Sequence, residues 1–380
     1  MKGPLKINFR VASLPGTISV CEEGSLYATI FYDSLKPHGI DCVAELVPDE
    51  AWLKQHARSF DAIHIHWPEH IWRSRHLKWA HPLRDLRGYY WFRRATHWPR
   101  SFLGLRHLRP LLNCAKNYGL RIIWTIHDLT PHEKAGWIDH VGYRILARQS
   151  DVIICHSETA RNTFISTYGF ADKTLVMRHG NFATAYPAPR PREFVLQDLG
   201  LKQELPLVCF LGLLRGYKGV DLCLDAIAKL GGRVQLVIAG APHADFHVRA
   251  FSRRVSQMKN TVFIPKFLSA QEFADFASAS EAFLLPYHRI TTSGVLHAAF
   301  TFHRGVIASD IPFFRECLSD NDNYGRLFRT GDAAAFANAI EDYLRIPNKV
   351  RAEAAMEFAE RHRWDKVVLP VVEAIKKWMK

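Results

Sequence analysis

The sequence predicts an α/β protein made of two doubly wound domains in succession. In both halves of the 380-residue chain, short apolar runs rich in β-branched residues alternate with segments of helical spacing, which is typical of parallel strands joined by helices. Between the halves, residues 187–193 read PAPRPRE, a stiff and exposed connector. We therefore expect an N-terminal domain over 1–186, a linker over 187–193, a C-terminal domain over 194–360 and a final helix over 361–380.

Both predicted domains repeat a strand–helix order along the chain. In the first domain, strands are expected at 7–14, 41–46, 62–67, 121–128 and 151–157, and helices at 24–37, 105–119 and 158–169. In the second, strands are expected at 206–212, 233–240, 261–266, 282–287 and 304–310, and helices at 219–230, 246–259, 269–279 and 293–302. Ligands of doubly wound sheets bind at the carboxyl ends of the strands, so the residues that follow each strand are the candidate site.

The composition favours a cytoplasmic protein with an anionic partner. The formal net charge is +13, a balance that suits phosphorylated substrates, nucleic acid or an acidic membrane surface. The seven cysteines are scattered singly, which argues against a disulfide framework and against a zinc site. The apolar runs are too short for a transmembrane helix, and the N-terminus reads as a first strand and not as a secretory signal.

The stretch FLGLLRGYKGVDLCLDAI (210–227) places two cations between a buried strand and a helix. The strand ends at Gly212, Arg215 and Lys218 follow in a turn that we expect to be exposed, and the helix begins near Gly219. A helix N-terminus adds backbone N–H groups and positive dipole to these cations. A solvated turn explains the pattern equally well on its own, but the alternative is a site for a phosphate group.

A second turn of the same kind follows the strand at 282–287. Thr292, Ser293 and Gly294 stand immediately before a predicted helix, where they either cap that helix or direct N–H groups at an anion. The two turns together could bind a diphosphate from two sides. Phe267, just after the strand at 261–266, is a candidate neighbour of a nucleotide base by its position alone.

Several short motifs resemble those of GT-B glycosyltransferases of the family 4 superfamily. That family carries G-x-x-R-x-x-K-G after the first strand of its C-terminal domain, and Gly212, Arg215, Lys218 and Gly219 match it. The order and spacing of further segments also fit across nearly the whole chain: HIHWPE (64–69), TIHDLTPHE (125–133), HSE (156–158), RHGNF (178–182), VIAGAP (237–242) and VIASDIPFFRE (306–316).

The resemblance implies a GT-B fold and a nucleotide-sugar donor. Such a fold has two Rossmann-like domains that face each other across a cleft, with a C-terminal helix that crosses back to the first domain. Arg215 and Lys218 would bind the donor diphosphate, the 292–294 turn would support it, and His127 would lie near the donor sugar. These enzymes transfer the sugar without an obligatory metal, because cations and a helix N-terminus neutralise the leaving diphosphate; no other cofactor is implied.

The resemblance leaves the stereochemistry open. Ile290 and Ala298 stand where the family usually has two Glu residues that contact the donor. A divergent branch that builds bacterial surface polysaccharides, including β-mannosyltransferases that use GDP-mannose, shows similar segments, and this favours mannose and GDP. An inverting reaction needs a general base, for which His127 and Asp128 are the candidates. We expect His64 and His66 to face opposite sides of their strand, one of them as a hydrogen-bonded core histidine.

The stretch 71–110 holds ten Lys or Arg against a single acid, with eight aromatic residues among them. Trp and Tyr favour the membrane interface, and cations are attracted to anionic headgroups. The residues of this stretch predicted to meet the membrane or the acceptor are Trp91, Arg93, Arg94, Trp98 and Arg100. The resemblance implies a glycan acceptor on a polyprenyl diphosphate carrier at the inner face of the cell membrane. The alternative is a basic surface for single-stranded nucleic acid, which we do not expect because no nucleic-acid-binding module is visible.

Overall fold

The computed structural model describes residues 9–14, 26–44, 50–73, 89–129 and 136–379, which form two α/β units. The first unit comprises the chain up to Arg178 together with the residues from Val368 onward, and the second runs from His179 to Val367. The change of unit at Arg178 precedes the domain boundary that we predicted after residue 186. The proline-rich segment lies within the second unit, where Arg190 forms an ion pair with Asp275 at 2.7 Å.

The first unit is built on a six-stranded parallel sheet. Its strands, in the spatial order β2-β1-β3-β4-β5-β6, are β1 (Phe9–Leu14), β2 (Ile40–Ala44), β3 (Ala62–Ile65), β4 (Arg121–Ile126), β5 (Val152–Cys155) and β6 (Thr174–Val176). Its helices before the second unit are α1 (Leu26–Leu35), α2 (Glu50–His56), α3 (Glu69–Arg73), α4 (Tyr89–Asn117), α5 (Trp137–Gln149) and α6 (Glu158–Tyr168). The side chain of Ser157 caps α6 by accepting a hydrogen bond from Ala160 N.

The second unit repeats the plan with another parallel sheet of six strands. The spatial order is β12-β11-β10-β7-β8-β9, with β7 (Leu207–Leu211), β8 (Gln235–Ala239), β9 (Thr261–Ile264), β10 (Ala282–Leu285), β11 (Gly305–Ser309) and β12 (Gly325–Phe328). Its helices are α7 (Arg192–Asp198), α8 (Val220–Lys229), α9 (Val248–Val255), α10 (Ala270–Ala279), α11 (Gly294–Thr301), α12 (Pro312–Leu318), α13 (Ala333–Leu344), α14 (Asn348–Arg361) and α15 (Trp364–Val367). Every residue of the central strands β7, β8 and β10 is buried, as expected for a parallel sheet covered on both faces.

The last helix, α16 (Leu369–Lys376), returns to the first unit, as the resemblance implied. It packs beside β6, and the ring of Trp378 lies 6.1 Å from that of Phe9. The guanidinium of Arg121 sits over the same indole at 5.6 Å. None of the helices in the described part of the chain is long and apolar enough to cross a membrane.

Candidate active site

The turn after β7 is shaped by two glycines in the left-handed region. Gly212 has φ +105° and Gly219 has φ +62°, which side chains other than hydrogen disfavour. Between them, residues Gly216–Lys218 form a single 3₁₀ turn, and Gly219 leads directly into α8. A Cβ on Gly219 would lie 2.2 Å from the carbonyl oxygen of Pro286, so the turn requires glycine for space as well as for conformation.

Loops from the two neighbouring strands hold this turn in place. After β8, Gly240 approaches so closely that a Cβ on it would lie 1.9 Å from Gly212 O. After β10, the backbone N–H of His288 donates to Tyr217 O at 2.8 Å. The carboxyl ends of β7, β8 and β10 are adjacent in the sheet, and together they leave little freedom for the residues of the turn.

Lys218 is buried, and this corrects our expectation of an exposed turn. Its side chain is only 7% exposed, because its ammonium group lies over the ring of Tyr287, 5.4 Å from the centroid. Burial, and in second place the nearby charge of Arg215, lower the pKa of Lys218 from 10.5 to about 8. Among the residues that the structure describes, no carboxylate forms an ion pair with Lys218 and no side chain hydrogen-bonds to it.

Arg215 is half-buried at the start of the 3₁₀ turn, next to Lys218. It also makes no ion pair within the described part of the chain, although the carboxylate of Asp245 accepts a hydrogen bond from the neighbouring Gly216 N at 3.3 Å. A buried ammonium beside a guanidinium is unfavourable unless a negative charge joins them. The turn therefore has the positive charge of an anion site, and it leads directly into the N-terminus of α8.

The second predicted turn lies beside the first. The Cβ position of Gly212 is 3.8 Å from Lys218 Nζ and 3.3 Å from a methyl group of Val295, in the first turn of α11. Ser293 caps α11 by accepting a hydrogen bond from Leu296 N, and Gly294 is the first residue of the helix. The hydroxyl oxygen of Thr292 is buried and has no hydrogen-bond partner among the described residues. The two turns that the sequence singled out are therefore neighbours.

The remaining predicted donor residue lies further along the same edge of the sheet. Phe267 follows the edge strand β9, which is separated from β7 by β8, and its side chain is 61% exposed. Ile290 is partly buried against the core and Ala298 is buried, so neither position supplies a polar group to the site.

In the first unit, His127 and Asp128 follow β4 at the carboxyl edge of the sheet, and both are half-buried. His127 belongs to a cluster of histidines: its Nε2 lies 2.8 Å from His66 Nδ1, and its ring is 5.5 Å from that of His156. The ring of Trp67 stacks on His127 at 4.4 Å. Trp67 has φ +32°, a strained conformation that is concentrated at functional sites.

Our expectation for His64 and His66 was wrong, because residues two apart on a strand share a face. Their ring centroids are 4.1 Å apart, and both rings contact the hydroxyl of Tyr32. Burial lowers the pKa of His64 to about 3 and that of His66 well below 6.5, with neighbouring histidines adding to the effect. Burial also lowers the pKa of His156 to about 4. His64, His66 and His156 are therefore held neutral at physiological pH.

Sequence reasoning missed three members of this cluster, namely Tyr27, Tyr32 and His156. The two tyrosines lie on the buried face of α1, and His156 comes directly after β5. The available signal was topological, because the carboxyl ends of adjacent parallel strands converge. No group of three or more His, Cys, Asp or Glu in the described ranges is arranged to hold a metal ion.

The predicted membrane and acceptor residues all fall within α4, which begins at Tyr89 and not at residue 105 as predicted. The side chains of Trp91, Arg93, Arg94, Trp98 and Arg100 lie outside the described residues. Further along the same helix, Phe102 and Leu103 are exposed, as is Trp137 at the start of the neighbouring α5.

Two parallel sheets of this kind, each covered by helices, define the GT-B class of glycosyltransferase folds. Residues 205–345, which lie within the second unit, match the family described as Glycosyl transferases group 1. A solved structure that is similar in fold is HepE from Anabaena, in complex with UDP and glucose. It superposes with a TM-score of 0.71 at 14% identity and covers 97% of this chain and 100% of its own.

Two relatives are similar in sequence over about two thirds of this chain. An alpha-maltose-1-phosphate synthase from Mycolicibacterium smegmatis is 28% identical over 272 residues, which are 64% of this chain and 68% of the relative. A GDP-mannose:glycolipid 4-beta-D-mannosyltransferase from Xanthomonas campestris pv. campestris is 26% identical over 250 residues. That match spans 66% of this chain but 61% of the mannosyltransferase, less than two thirds of its length.

Proposed function

We propose that this protein is a glycosyltransferase that moves a hexose from a nucleoside diphosphate sugar to a lipid-linked glycan. One observation carries the proposal: Lys218 is buried beside Arg215, in a glycine-shaped turn at the carboxyl end of β7, and the described residues give it no carboxylate partner. A diphosphate supplies the missing negative charge. Arg suits paired phosphate oxygens, and Lys supplies a point charge.

In the proposed reaction the bond between the sugar C1 and the diphosphate oxygen breaks, and C1 forms a bond with an acceptor hydroxyl oxygen. Negative charge develops on the leaving diphosphate, where Arg215, Lys218 and the start of α8 stabilise it without a metal or other cofactor. The acceptor hydroxyl loses its proton to a general base. We assign that role to the His127–Asp128 pair if the reaction inverts.

The donor that we favour is GDP-mannose. Support comes from the similarity to the mannosyltransferase of Xanthomonas campestris, whose name states that donor. The Anabaena structure was solved with UDP and glucose, so UDP-glucose is the competing donor. A nucleotide panel separates the two, because a ligand that binds only the folded state raises its stability by RT ln(1 + [L]/Kd), about 2.7 kcal/mol at one hundred times Kd.

The test is thermal unfolding of the full chain with GDP, UDP, ADP, CMP, TDP or a short oligonucleotide. We expect GDP to raise the unfolding temperature of the wild-type protein and to have no effect on Lys218→Ala. Lys349→Ala is the matched control, because Lys349 is an exposed lysine of the same unit, and it should respond like the wild type. Stabilisation by the oligonucleotide alone would instead favour the nucleic-acid alternative.

We further propose that α4 and α5 attach the protein to the inner face of the cell membrane. Helix α4 carries six Lys or Arg and no acid, and α5 adds Arg144 and Arg148 against a single buried Asp139. Exposed apolar side chains lie among these cations: Phe102, Leu103, Trp137 and Val141. Each cation near an anionic surface contributes about 1 kcal/mol, and the acceptor would be a polyprenyl-diphosphate-linked glycan in that membrane.

Co-sedimentation with vesicles that contain an anionic phospholipid tests this attachment. Arg93→Glu with Arg94→Glu, and separately Leu103→Asp, should each reduce the bound fraction. Arg253→Glu, a charge reversal on α9 in the second unit, should leave it unchanged. Equal binding by all of these proteins would refute the attachment through α4.

A further inference from the structure

Four histidines and two tyrosines meet at the carboxyl edge of the first sheet. Tyr27 and Tyr32 come from α1, His64 and His66 from the end of β3, His127 from the end of β4 and His156 from the end of β5. Three of them, Tyr32, His66 and His127, are joined end to end by hydrogen bonds, and we call them the Tyr32–His66–His127 relay.

The direction of each hydrogen bond in the relay follows from the proton on Tyr32. The Tyr32 hydroxyl donates to Ser13 Oγ at 2.6 Å. Because a phenol has a single proton, the same oxygen can only accept from His66 Nε2, which lies 2.8 Å away. His64 Nδ1 approaches the same oxygen at 3.3 Å and is likewise a donor, while its Nε2 accepts from Thr125 Oγ1 at 2.8 Å.

The tautomer of His127 then follows from that of His66. A neutral His66 that carries its proton on Nε2 has an unprotonated Nδ1, which must accept a hydrogen bond. Its partner is His127 Nε2, 2.8 Å away, so His127 carries a proton on Nε2 and has a lone pair on Nδ1. His66 and Tyr32 are both buried, and burial keeps His66 neutral by lowering its pKa.

We infer that His66 and Tyr32 are positioning residues that hold His127 as the tautomer protonated on Nε2, so that Nδ1 serves as a hydrogen-bond and proton acceptor. The ring of His127 is held from two further sides, by Trp67 stacked at 4.4 Å and Tyr27 edge-on at 5.0 Å. A proton taken up at Nδ1 leaves the Nε2–H bond to His66 intact. That His127 Nδ1 accepts the proton of an acceptor hydroxyl rests on the proposed function. The tautomer of His127 is independent of that function.

The test is nitrogen NMR of the full chain labelled with ¹⁵N-histidine, near pH 7.5, with the His127 signals assigned from their loss in His127→Gln. We expect a protonated Nε2 and an unprotonated Nδ1. His66→Asn keeps an acceptor oxygen at the position of Nδ1 and should preserve this tautomer, whereas His66→Leu removes the acceptor and should give a mixture. Tyr32→Phe should likewise give a mixture of the two His127 tautomers. Tyr27→Phe is the matched control, because it deletes a buried hydroxyl from the same helix but leaves the relay intact. It should preserve the tautomer of His127.

A His127 protonated on Nδ1 in the wild-type protein would overturn the inference. A His127 tautomer that does not differ between His66→Leu and His66→Asn would also overturn it. The milder Tyr32→Phe change gives the same answer if His66→Leu does not fold. Where sugar transfer is measurable, His66→Leu should lower kcat roughly tenfold with little change in KM for the donor, and His66→Asn should restore most of the loss. The predicted tautomer without any transfer would refute the proposed function and leave the relay standing.

Discussion

If Lys218 binds the donor diphosphate as proposed, its burial should make nucleotide binding a proton-linked reaction. In the free protein its pKa is lowered to about 8, by burial first and by Arg215 second. A diphosphate beside the ammonium group favours the charged form and restores the pKa toward its ordinary value of 10.5. The bound protein therefore holds more protons than the free protein between these two values, so binding takes up protons and weakens as the pH rises.

The size of the effect follows from the two pKa values. At pH 7 Lys218 is already mostly charged, and binding should take up only about 0.1 proton; at pH 9 it should take up about 0.9 proton. Affinity should fall up to about tenfold for each pH unit between pH 8 and 10.5. By the same linkage, the free energy of unfolding of the nucleotide-free protein increases as the pH rises from about 8 to 10.5. Over this whole interval the increase is about 3 kcal/mol.

Isothermal titration calorimetry in two buffers of different ionisation enthalpy measures this uptake. GDP is titrated into the wild-type protein and into Lys218→Arg, whose guanidinium stays charged at both pH values. Subtraction of the variant removes protons that belong to the nucleotide. An uptake at pH 9 that is equal in the two proteins would refute the assignment of Lys218 to the diphosphate.

Three further predictions concern the packing around the site. Gly219→Ala should weaken nucleotide binding at least about tenfold in the same titration, because its Cβ would meet Pro286 O at 2.2 Å. Gly231→Ala is the control: Gly231 has nearly the same φ, +59°, but open space around it, so this variant should leave binding unchanged. Glu281→Gln should lower the free energy of unfolding by about 3 kcal/mol in a denaturant titration, because it leaves the buried guanidinium of Arg351 without the negative charge that lies 2.9 Å away in the wild type. Glu353→Gln, at an exposed ion pair, should cost almost nothing. Gly180→Ala should cost about 2 kcal/mol in the same assay, because its Cβ would lie 2.2 Å from the ring of Trp364.

The features that depend on local sequence were predictable. Gly212 and Gly219 adopt left-handed backbone conformations in the turn that connects β7 to α8, and both glycines are visible in the sequence. The residue type of Ser293 and its place before α11 made a cap one of the two roles that we considered for it, and the structure shows that cap. The alternation of buried runs with helical spacing was enough to predict two parallel sheets.

The features that depend on distant residues were not predictable from one sequence. Lys218 is buried because Tyr287, from the loop after β10, covers it, and no local pattern signals that contact. The histidine cluster joins residues from α1, β3, β4 and β5, which only the sheet order brings together. Helix α4 continues through Pro99 and Pro110, although proline disfavours a helix interior, so its start at Tyr89 was missed.

The most direct test of the central claim is transfer of labelled sugar from GDP-mannose and UDP-glucose into lipid extracted from bacterial membranes. We expect the wild-type protein to move label from GDP-mannose into the lipid fraction without added metal. Lys218→Ala should lose at least about a hundredfold of that rate, while Lys349→Ala keeps it. Label transfer by Lys218→Ala at the wild-type rate, or no transfer from any nucleotide sugar by a protein that binds the nucleotide, would contradict the account.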